Sequence, residues 1–599
     1  MIEDQHEAYE LTGAPALYAA AASAPIPAFA HAMPPDPLQQ ATAIHHRLHR
    51  QTLLKLDGLL LPFLAVLFLF NSLDKANIGN AETAHFTADI GLEKSDLNTA
   101  VALFFAFFVA LQPVGAALGR RYGMVLWVPS CMLLWGICTV LHAWVQHKWQ
   151  LYTLRILIGC LEAGFYPVTV TYLSLFYTRF EFGKRLSIFY GQAAIGGALG
   201  GLISYGVFSR FRDDSTDAQA KTNWRPWQIL FLLEGTITMV VAVMGYFWLP
   251  HSVETAWFLS PDERRYAASR IVSDRDMQIA SAATQRTRDE DEADYEQEED
   301  VEEARGLLNA SKPSISTSQH LVDDRGLSPH DLVSAVFNTK IWHILACNIL
   351  SSIPVYAFSV FLPLVLAPLL EKPNPALINL LTAPPHFCGA TILFIAARYS
   401  DKHRVRLVPV LTGLAIMATG LVFVVLLPLS WAVLRYLSLC VLLSGTYVAS
   451  PLTVAWISGN TPSPGKRALL LGINGWGNLA GVLSALLFKP RYAEAGYIVP
   501  FWWTLGSVAM AALGYVLFFK RLKLENEVRQ SILASWTDED RERETVEGQG
   551  PLTSARPWLK QAVSLVRSNA RLVWLADWLG QANLAVREGD EKITFVYGL

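Results

Sequence analysis

Two oppositely charged residues, Arg155 and Glu162, lie inside an apolar stretch of the sequence. Seven residues separate them, so on a helix of 3.6 residues per turn their side chains project from nearly the same face. Charges inside a membrane segment are costly and usually face a cavity or a partner. The pair therefore favours proton binding by the carboxylate and anion binding by the guanidinium. A static buried ion pair that positions helices is the alternative.

A second charged pair, Asp74 and Lys75, ends the first apolar stretch. A carboxylate in a low-dielectric interior holds a proton more readily than one in water. Asp74 and Glu162 are therefore the candidate proton-coupling residues, and Lys75 joins Arg155 as a candidate ligand of an anion. Here too a purely structural role is the competing interpretation.

Several uncharged polar residues lie at a depth suited to lining a cavity. The predicted substrate-binding set is completed by Gln192, Tyr356, His386, Asn474 and Asn478. Two prolines precede His386, and backbone groups freed by such a break are tolerated only where they face protein or water. A histidine bonded between helices explains His386 as well, and interhelical hydrogen bonds explain the Asn474–Asn478 pair as well as substrate contact does.

The composition indicates a protein of many membrane spans. Of 599 residues, 52% are hydrophobic and only 17% are charged, against about 25% charged residues in soluble proteins. No basic stripe suggests nucleic acid. The six cysteines show no metal-ligand spacing, and no nucleophile–base set or cofactor motif suggests an enzyme. We expect no metal, no bound cofactor and no catalysis.

Twelve apolar runs are long enough to cross a bilayer, which takes about 20 residues each. They lie near 56–74, 98–118, 124–145, 150–174, 186–208, 227–249, 340–366, 377–397, 406–427, 430–453, 467–488 and 498–519. The layout predicts an all-α membrane protein of two six-helix bundles, each descended from one six-helix unit. Lys and Arg in the short loops favour cytoplasmic termini.

The predicted organisation has five parts: a disordered cytoplasmic N-terminal region (1–52), a first bundle (53–250), a cytoplasmic acidic linker (251–338), a second bundle (339–522) and a cytoplasmic tail (523–599). The linker contains a strongly acidic run at 288–300, which favours a solvated segment over a docking segment. Within the tail, 558–579 is a candidate amphipathic helix that lies either on the membrane surface or on the protein.

Motifs across roughly 50–520 resemble the anion:cation symporter branch of the major facilitator superfamily, the allantoate-permease-like group of fungi. The motifs that carry the resemblance are Lys55-Leu-Asp57, Leu61-Pro62, Leu73-Asp74-Lys75-Ala-Asn77-Ile78-Gly79-Asn80-Ala81, the Arg155–Pro167 run, Arg225-Pro-Trp227, Leu233-Glu234-Gly235, Tyr356 with Phe361-Leu362-Pro363, Leu380-Leu381-Thr382-Ala383-Pro384-Pro385, and Trp456, Asn460-Thr461 and Lys466-Arg467.

The resemblance implies the major facilitator fold and a rocker-switch carrier, in which two bundles expose one central site alternately to each side. By motif, its working core falls on Asp74, Lys75, Arg155 and Glu162. Relatives commonly have Arg where this chain has Lys75, and lysine binds a carboxylate without the bidentate fork. The resemblance also implies gating or structural roles, which we assign to Arg121, Glu234, Asp401 and Lys402.

The leading hypothesis is a monomeric, proton-coupled symporter that imports a small organic anion, such as a carboxylate vitamin, across the plasma membrane. The proton gradient takes the place of a cofactor. Two alternatives stay open: an exporter or uniporter on the same fold, and a nutrient sensor that does not transport.

Overall fold

A computed structural model describes residues 47–173, 175–211, 224–271, 329–370, 372, 374–462, 464–546, 551 and 589–598. Within these ranges, long α-helices cross a membrane-sized thickness. The predicted amphipathic helix at 558–579, the acidic run at 288–300 and nearly all of the predicted disordered region 1–52 lie outside the described residues.

The first six spans follow the predicted order. Span 1 is a π-helical turn, Leu56–Leu60, that continues as Leu61–Thr83; the others are Lys94–Tyr122, Met124–Leu141, Lys148–Glu162 with Phe165–Leu173, Arg179–Arg210 and Pro226–Trp248. Short helices follow span 1 at Phe86–Asp89 and span 3 at His142–Trp144. A helical segment at 261–271 follows span 6.

The second six spans repeat the pattern after the helix Pro329–Val336. They are Thr339–Leu366 with Ala367–Leu369, Pro375–Leu380 with Ala383–His403, Leu407–Leu426, Ala432–Thr446 with Ala449–Gly459, Pro464–Asn474 with Gly475–Asn478 and Leu479–Leu487, and Ile498–Ala534. Pro490–Tyr492, Asp538–Val546 and Gly589–Glu591 are further short helices.

Eleven helices in the described residues are long and apolar enough to cross a bilayer. The remaining predicted span, 186–208, lies in the 32-residue helix Arg179–Arg210, which begins with basic residues and is rich in glycine. Because the bilayer offers no water to unpaired backbone groups, such apolar runs fold as helices. The twelve-helix architecture that the sequence predicts is therefore confirmed.

Helical structure extends past several predicted boundaries. The first helix is already present at Arg47, and span 12 runs to Ala534, well beyond 522. The region predicted as a solvated linker is ordered at its start, where Lys55 Nζ donates to Glu263 Oε2 at 2.6 Å. Ion pairs with neighbouring helices hold these polar ends, which hydropathy alone assigns to loops.

The two halves touch through equivalent pairs of helices. Span 1 packs on span 7, span 2 on span 11, and span 5 on span 8. Gly79 in span 1 allows the closest approach, because a side chain there would collide with the backbone carbonyl of Val360 in span 7. When each span of the first half is matched to the span six positions later, the pair of spans 2 and 11 corresponds to the pair of spans 5 and 8. This symmetry is the arrangement expected of two related six-helix units.

The halves close on one side of the membrane. We call the side that carries Lys55 and Lys466 the Lys55 side, and the side that carries His142 and Lys148 the His142 side. On the His142 side, Asn98 Nδ2 donates to the carbonyls of Ala485 and Phe488, each at 2.8 Å, and Asn379 Nδ2 donates to Thr83 Oγ1 at 2.7 Å.

Candidate functional site

A cavity lies between the two halves, at mid-membrane depth and towards the Lys55 side. It holds about 160 Å³ of space that water-sized molecules can occupy. Three spans have a break or a 3-10 turn near this depth, after Glu162, Thr446 and Asn474. Its polar lining comprises Asn71, Ser72, Lys75, Gln112, Glu162, Asn348, Ser352, Tyr356, Ser359, Tyr447, Ser450, Asn474 and Asn478.

Lys75 and Glu162 form the charged centre of the cavity wall. Lys75 Nζ lies 3.5 Å from Glu162 Oε2 and donates to Asn71 Oδ1 at 2.7 Å. Asn71 Nδ2 in turn donates to Glu162 Oε2 at 2.8 Å. Glu162 is fully buried, whereas 17% of the Lys75 side chain is exposed. The lysine is therefore the member of the pair that a solute in the cavity reaches.

Glu162 is paired with Lys75 and not with Arg155, the partner that helical spacing suggests. Seven residues put the Arg155 and Glu162 side chains on one face, but they also separate the two along the axis by roughly 10 Å. Each therefore meets partners at its own depth in the membrane. Arg155 is buried and interacts electrostatically with Asp74, Glu162 and Glu234.

Asp74 points away from the cavity into the first bundle. Trp135 Nε1 donates to its Oδ2 at 2.8 Å, and Thr139 Oγ1 donates to its Oδ1 at 3.3 Å. Successive helical residues project about 100° apart, so Asp74 and Lys75 face different surroundings. The sequence analysis did not identify Trp135 and Thr139; an indole N–H inside a membrane segment, which needs an acceptor, was the available signal.

Glu234 is buried in span 6, close enough to Asp74 and Arg155 to interact with both electrostatically. Neither Glu234 nor Asp74 nor Arg155 is part of the cavity lining. These five ionisable residues inside the membrane in the first bundle therefore fall into two groups: Lys75 and Glu162 at the cavity, and Asp74, Arg155 and Glu234 behind it.

The second bundle faces the cavity with amides and phenols. The Tyr356 hydroxyl donates to Asn478 Oδ1, and Asn348 Nδ2 donates to Asn474 Oδ1 at 3.3 Å. The 3-10 turn Gly475–Asn478 leaves the Gly475 carbonyl to accept from Asn478 Nδ2 at 2.6 Å. The predicted pair, Asn474 and Asn478, thus makes local or interhelical hydrogen bonds and also lines the cavity. Asn348 was not identified from the sequence.

His386 and Gln192 lie next to the cavity and are not in its lining. His386 is buried, and its Nδ1 lies 2.8 Å from the Tyr447 hydroxyl. Tyr447 is the residue that reaches the cavity, so His386 acts as a supporting group behind it. Gln192 is half-buried in span 5, where its neighbour Ala193 contributes the lining.

Aromatic rings complete the wall on the side of the first bundle. The ammonium of Lys75 lies 4.9 Å from the centroid of the Phe108 ring, at a distance typical of a cation–π contact. The other lining rings of this half are Phe68, Phe165 and Tyr166. A cation beside flat apolar surfaces suits a planar solute that carries one negative group.

Of the four residues predicted to have gating or structural roles, Arg121, Asp401 and Lys402 lie on the Lys55 side. Asp401 Oδ1 accepts from Arg406 Nη1 at 2.8 Å, which ties the end of span 8 to the residue preceding span 9. Lys402 is exposed, and the Arg121 guanidinium lies 5.8 Å from the Tyr122 ring. In the first half, the Arg185 guanidinium donates two hydrogen bonds to the Asp57 carboxylate, each at 2.7 Å. The sequence analysis did not predict this pairing.

Residues 589–598 dock on the Lys55 side of the second bundle. Lys466 Nζ lies 2.7 Å from Asp590 Oδ1, and both side chains are buried. Asn526 Nδ2 donates to the Tyr597 carbonyl at 2.9 Å, and Trp456 Nε1 donates to the Gly598 carbonyl at 3.0 Å. Through these contacts, residues 589–598 connect spans 10, 11 and 12. The sequence analysis, which assigned 523–599 to a cytoplasmic tail, did not predict this docking.

Comparison with known proteins gives consistent results. Residues 64–463 match the family described as Major Facilitator Superfamily. The chain is 27% identical to the high-affinity nicotinic acid transporter of Saccharomyces cerevisiae, over 82% of this chain and 80% of that protein. It is 28% identical to the major facilitator-type transporter hxnP of Emericella nidulans, over 73% and 79%.

Among solved structures, the xylose transporter XylE from E. coli, in a partially occluded inward-open conformation, is similar in fold. The TM-score is 0.53 at 15% identity, over 76% of this chain and 95% of that one. At this identity the likeness concerns the fold alone.

Proposed function

Because this chain belongs to the major facilitator superfamily, we propose that it is a proton-coupled symporter that imports a small organic anion. Family membership and the similar fungal transporters make it a multi-pass membrane transporter of a small molecule. To this we add proton coupling, the class of the substrate and the direction of transport.

The observation that carries the proposal is the Lys75–Glu162 pair at the cavity wall. While Glu162 is ionised, its charge neutralises Lys75. A proton on Glu162 removes that counter-charge and leaves Lys75 to bind the carboxylate of a solute. The net charge at this depth is then the same with proton and anion bound as with neither. Conserving charge in this way avoids the cost of an unpaired ion in a low-dielectric interior.

Asp74 supplies the second proton-coupling carboxylate of the proposal. It lies behind Lys75 and interacts electrostatically with Arg155 and Glu162, so its charge affects both Arg155 and the Lys75–Glu162 pair. Arg155 therefore balances carboxylates within the first bundle and does not itself meet the substrate. This role differs from the anion contact that helical spacing suggests for Arg155.

An aromatic or heteroaromatic monocarboxylate is the substrate class that fits the wall best. Lys75 would hold the carboxylate, Phe108 and Phe68 would flank the ring, and the amide of Asn478 would recognise a polar atom on the far edge. The similarity to a nicotinic acid transporter supports the same class. Carboxylate vitamins of comparable size are the first compounds to test.

We place the Lys55 side in the cytoplasm and the protein in the plasma membrane. The excess of basic residues in loops on that side supports the orientation. One chain contains both bundles and the whole cavity lining, which supports a monomer. The proton gradient is the only driving force that the proposal requires, and it needs no bound cofactor.

The test is uptake of labelled nicotinate, pantothenate, biotin and allantoate by cells that lack their own carriers for them. Uptake is compared at acidic and neutral external pH, with and without a protonophore. We expect one compound to enter faster at acidic pH and to lose that advantage with the protonophore. Uptake that depends neither on external pH nor on the protonophore would favour a uniporter. Absence of uptake by cells that carry the protein on their surface would favour an exporter or a sensor.

A further inference from the structure

A cluster of buried polar groups lies inside the first bundle, on the side of Asp74 away from the cavity. We call it the rear cluster. It joins spans 1, 3, 4 and 6, of which span 6 packs on spans 1 and 3 and span 3 packs on span 4. Its members are Asp74, Asn77, His142, Arg155, Glu234 and Thr238, all of them buried.

The rear cluster contains many polar atoms without a hydrogen-bond partner among the described residues. They include both carboxylate oxygens of Glu234, Nε2 of His142, Nε of Arg155 and the hydroxyl of Thr238, which lies one helical turn from Glu234. Leaving a buried polar group without a hydrogen-bond partner destabilises the folded protein. A cluster that served only to fix the helices would be expected to satisfy them.

Charge balance distinguishes the two carboxylates of the rear cluster. Asp74 accepts hydrogen bonds from Trp135 and Thr139, which stabilise its ionised form, and it acts electrostatically on Arg155. We therefore take ionised Asp74 as the counterion of Arg155. An ionised Glu234 would add a second negative charge with no donor beside it. The arrangement therefore favours a proton on Glu234 in this conformation.

Among the described residues, Arg155 is the cation that acts electrostatically on Glu234. His142 Nδ1 lies 2.7 Å from the Cys138 carbonyl, so this nitrogen carries the hydrogen and Nε2 is the free acceptor of a neutral imidazole. Arg155 acts electrostatically on both His142 and Glu234. Span 5 also packs on span 6, and between residues 189 and 208 its ionisable side chains are the tyrosines 190 and 205.

The depth of these groups forms a series from the His142 side towards the cavity. His142 follows span 3 directly, Glu234 is eight residues into span 6 from Pro226, and Glu162 ends the first helix of span 4. Arg155 interacts electrostatically with Asp74, Glu162 and Glu234. Glu234 thus lies nearer the closed side of the protein than the carboxylate that lines the cavity.

We propose that Glu234 is a third proton-carrying residue of the coupling site, beyond Asp74 and Glu162. It holds a proton in this conformation and exchanges it with Asp74, so that Arg155 always keeps one carboxylate as its counterion. The proton leaves the Glu234 carboxyl group and binds the Asp74 carboxylate, so the negative charge passes from Asp74 to Glu234 and the net charge of the rear cluster is unchanged. The assignment rests on the proposed proton coupling, but its first test requires no substrate.

The test is infrared difference spectroscopy of the purified full-length protein in lipid vesicles, between neutral and strongly alkaline pH. The wild type should show the carbonyl stretch of a buried protonated carboxylic acid, and E234Q should lack it. E234D should keep the band at a shifted frequency, and E162Q, the matched control, should leave the Glu234 band in place. Spectra of E234Q and E234D that match the wild type would overturn the assignment.

A transport readout separates proton carrying from a merely structural role. With labelled nicotinate as the probe, E234Q should lose gradient-driven accumulation by about tenfold or more, while exchange of internal for external nicotinate persists and E234D accumulates as the wild type does. Equal loss of accumulation and exchange, or accumulation unchanged in E234Q, would contradict the proposal. If the wild type does not carry nicotinate, the infrared result still decides the role of Glu234.

Discussion

The two halves of the molecule have related helices but different interiors. At mid-membrane depth the first bundle contains Asp74, Lys75, Arg155, Glu162 and Glu234, whereas the second faces the cavity with Asn348, Tyr356, Tyr447, Asn474 and Asn478. The buried charges of the second bundle lie near the ends of its spans: Lys466 meets Asp590 on the Lys55 side, and Arg435 donates to the Gly496 carbonyl on the His142 side. One half thus has its charges inside the membrane and the other at the edge.

This difference suggests a division of labour within one fold. Charges inside a bilayer are retained at a cost and respond strongly to one another, which suits proton coupling. Amides and hydroxyls cost less to bury than charges do, and they suit recognition of the shape and the polar edge of a solute. We expect the ion pairs at the edge of the second bundle to hold its helices together without taking part in coupling. Each of the following predictions separates one of these roles from the others.

The largest effect is expected at the cavity carboxylate. Glu162→Gln removes the proton site but keeps the shape, so gradient-driven uptake should fall by roughly a hundredfold or more, while exchange across the membrane persists. Gradient-driven uptake into vesicles measures the first activity, and counterflow of the transported compound measures exchange. The same substitution at the exposed Glu254 is the control and should change neither. Retained dependence on the gradient in Glu162→Gln would remove the proton role from Glu162.

The next effect concerns stability of the second bundle. Lys466→Ala leaves Asp590 as a buried charge without its partner, and such a change costs about 3–5 kcal/mol. We expect a lower thermal unfolding midpoint for the purified protein, with an unchanged pH dependence of uptake by the remaining folded molecules. Lys402→Ala, at an exposed lysine on the same side, should leave the midpoint in place. A pH profile altered by Lys466→Ala would contradict the proposed separation of roles.

A smaller effect is expected where the second bundle meets the substrate. Tyr356→Phe removes the hydroxyl that donates to Asn478, and a neutral hydrogen bond is worth about 0.5–1.5 kcal/mol. The Michaelis constant for the preferred compound should therefore rise by a few-fold, with the ratio of protons to substrate unchanged. Tyr399→Phe, at a partly exposed tyrosine of span 8, is the matched control. A changed proton ratio would show that the second half also takes part in coupling.

The smallest effect is expected outside the membrane. Burial acts to raise the pKa of Glu263, but hydrogen bonds from Lys55 and from the Ser260 backbone outweigh it and lower the pKa below its usual value. A lowered folded-state pKa gives stability that is complete above the ordinary glutamate pKa and is lost as pH falls through the folded value.

Lys55→Ala should therefore reduce the unfolding midpoint slightly at neutral pH, by the equivalent of about 0.2–1 kcal/mol, and the difference from the wild type should vanish in acid. Thermal unfolding over a series of pH values measures this. Lys523→Ala, which removes an exposed pair with Glu527, is the control and should show no such convergence. A difference that stays constant in acid would mean that Lys55 acts by packing alone.

Hydropathy and motifs alone were sufficient to locate the spans and to identify the five charged residues within them. The bilayer penalises polar groups so strongly that a charged residue inside an apolar stretch is easily recognised. Glu162 and Lys75 were both predicted as site residues, and both line the cavity. What the sequence did not reveal was their pairing. Asn71 and Asn348 were missed as well, since a single amide in a helix gives no signal until the facing helix is known.

The sequence by itself determined the number of spans, the two-half organisation and the family, because each depends on local composition or on contiguous motifs. Only the tertiary structure decided which cation meets which carboxylate, since helix packing sets the depth and facing of each side chain. It also decided that Asp74 faces the bundle while Lys75 faces the cavity, and that residues 589–598 lie against spans 10, 11 and 12. Such contacts join positions far apart in the chain, and their energy exists only once the helices have packed.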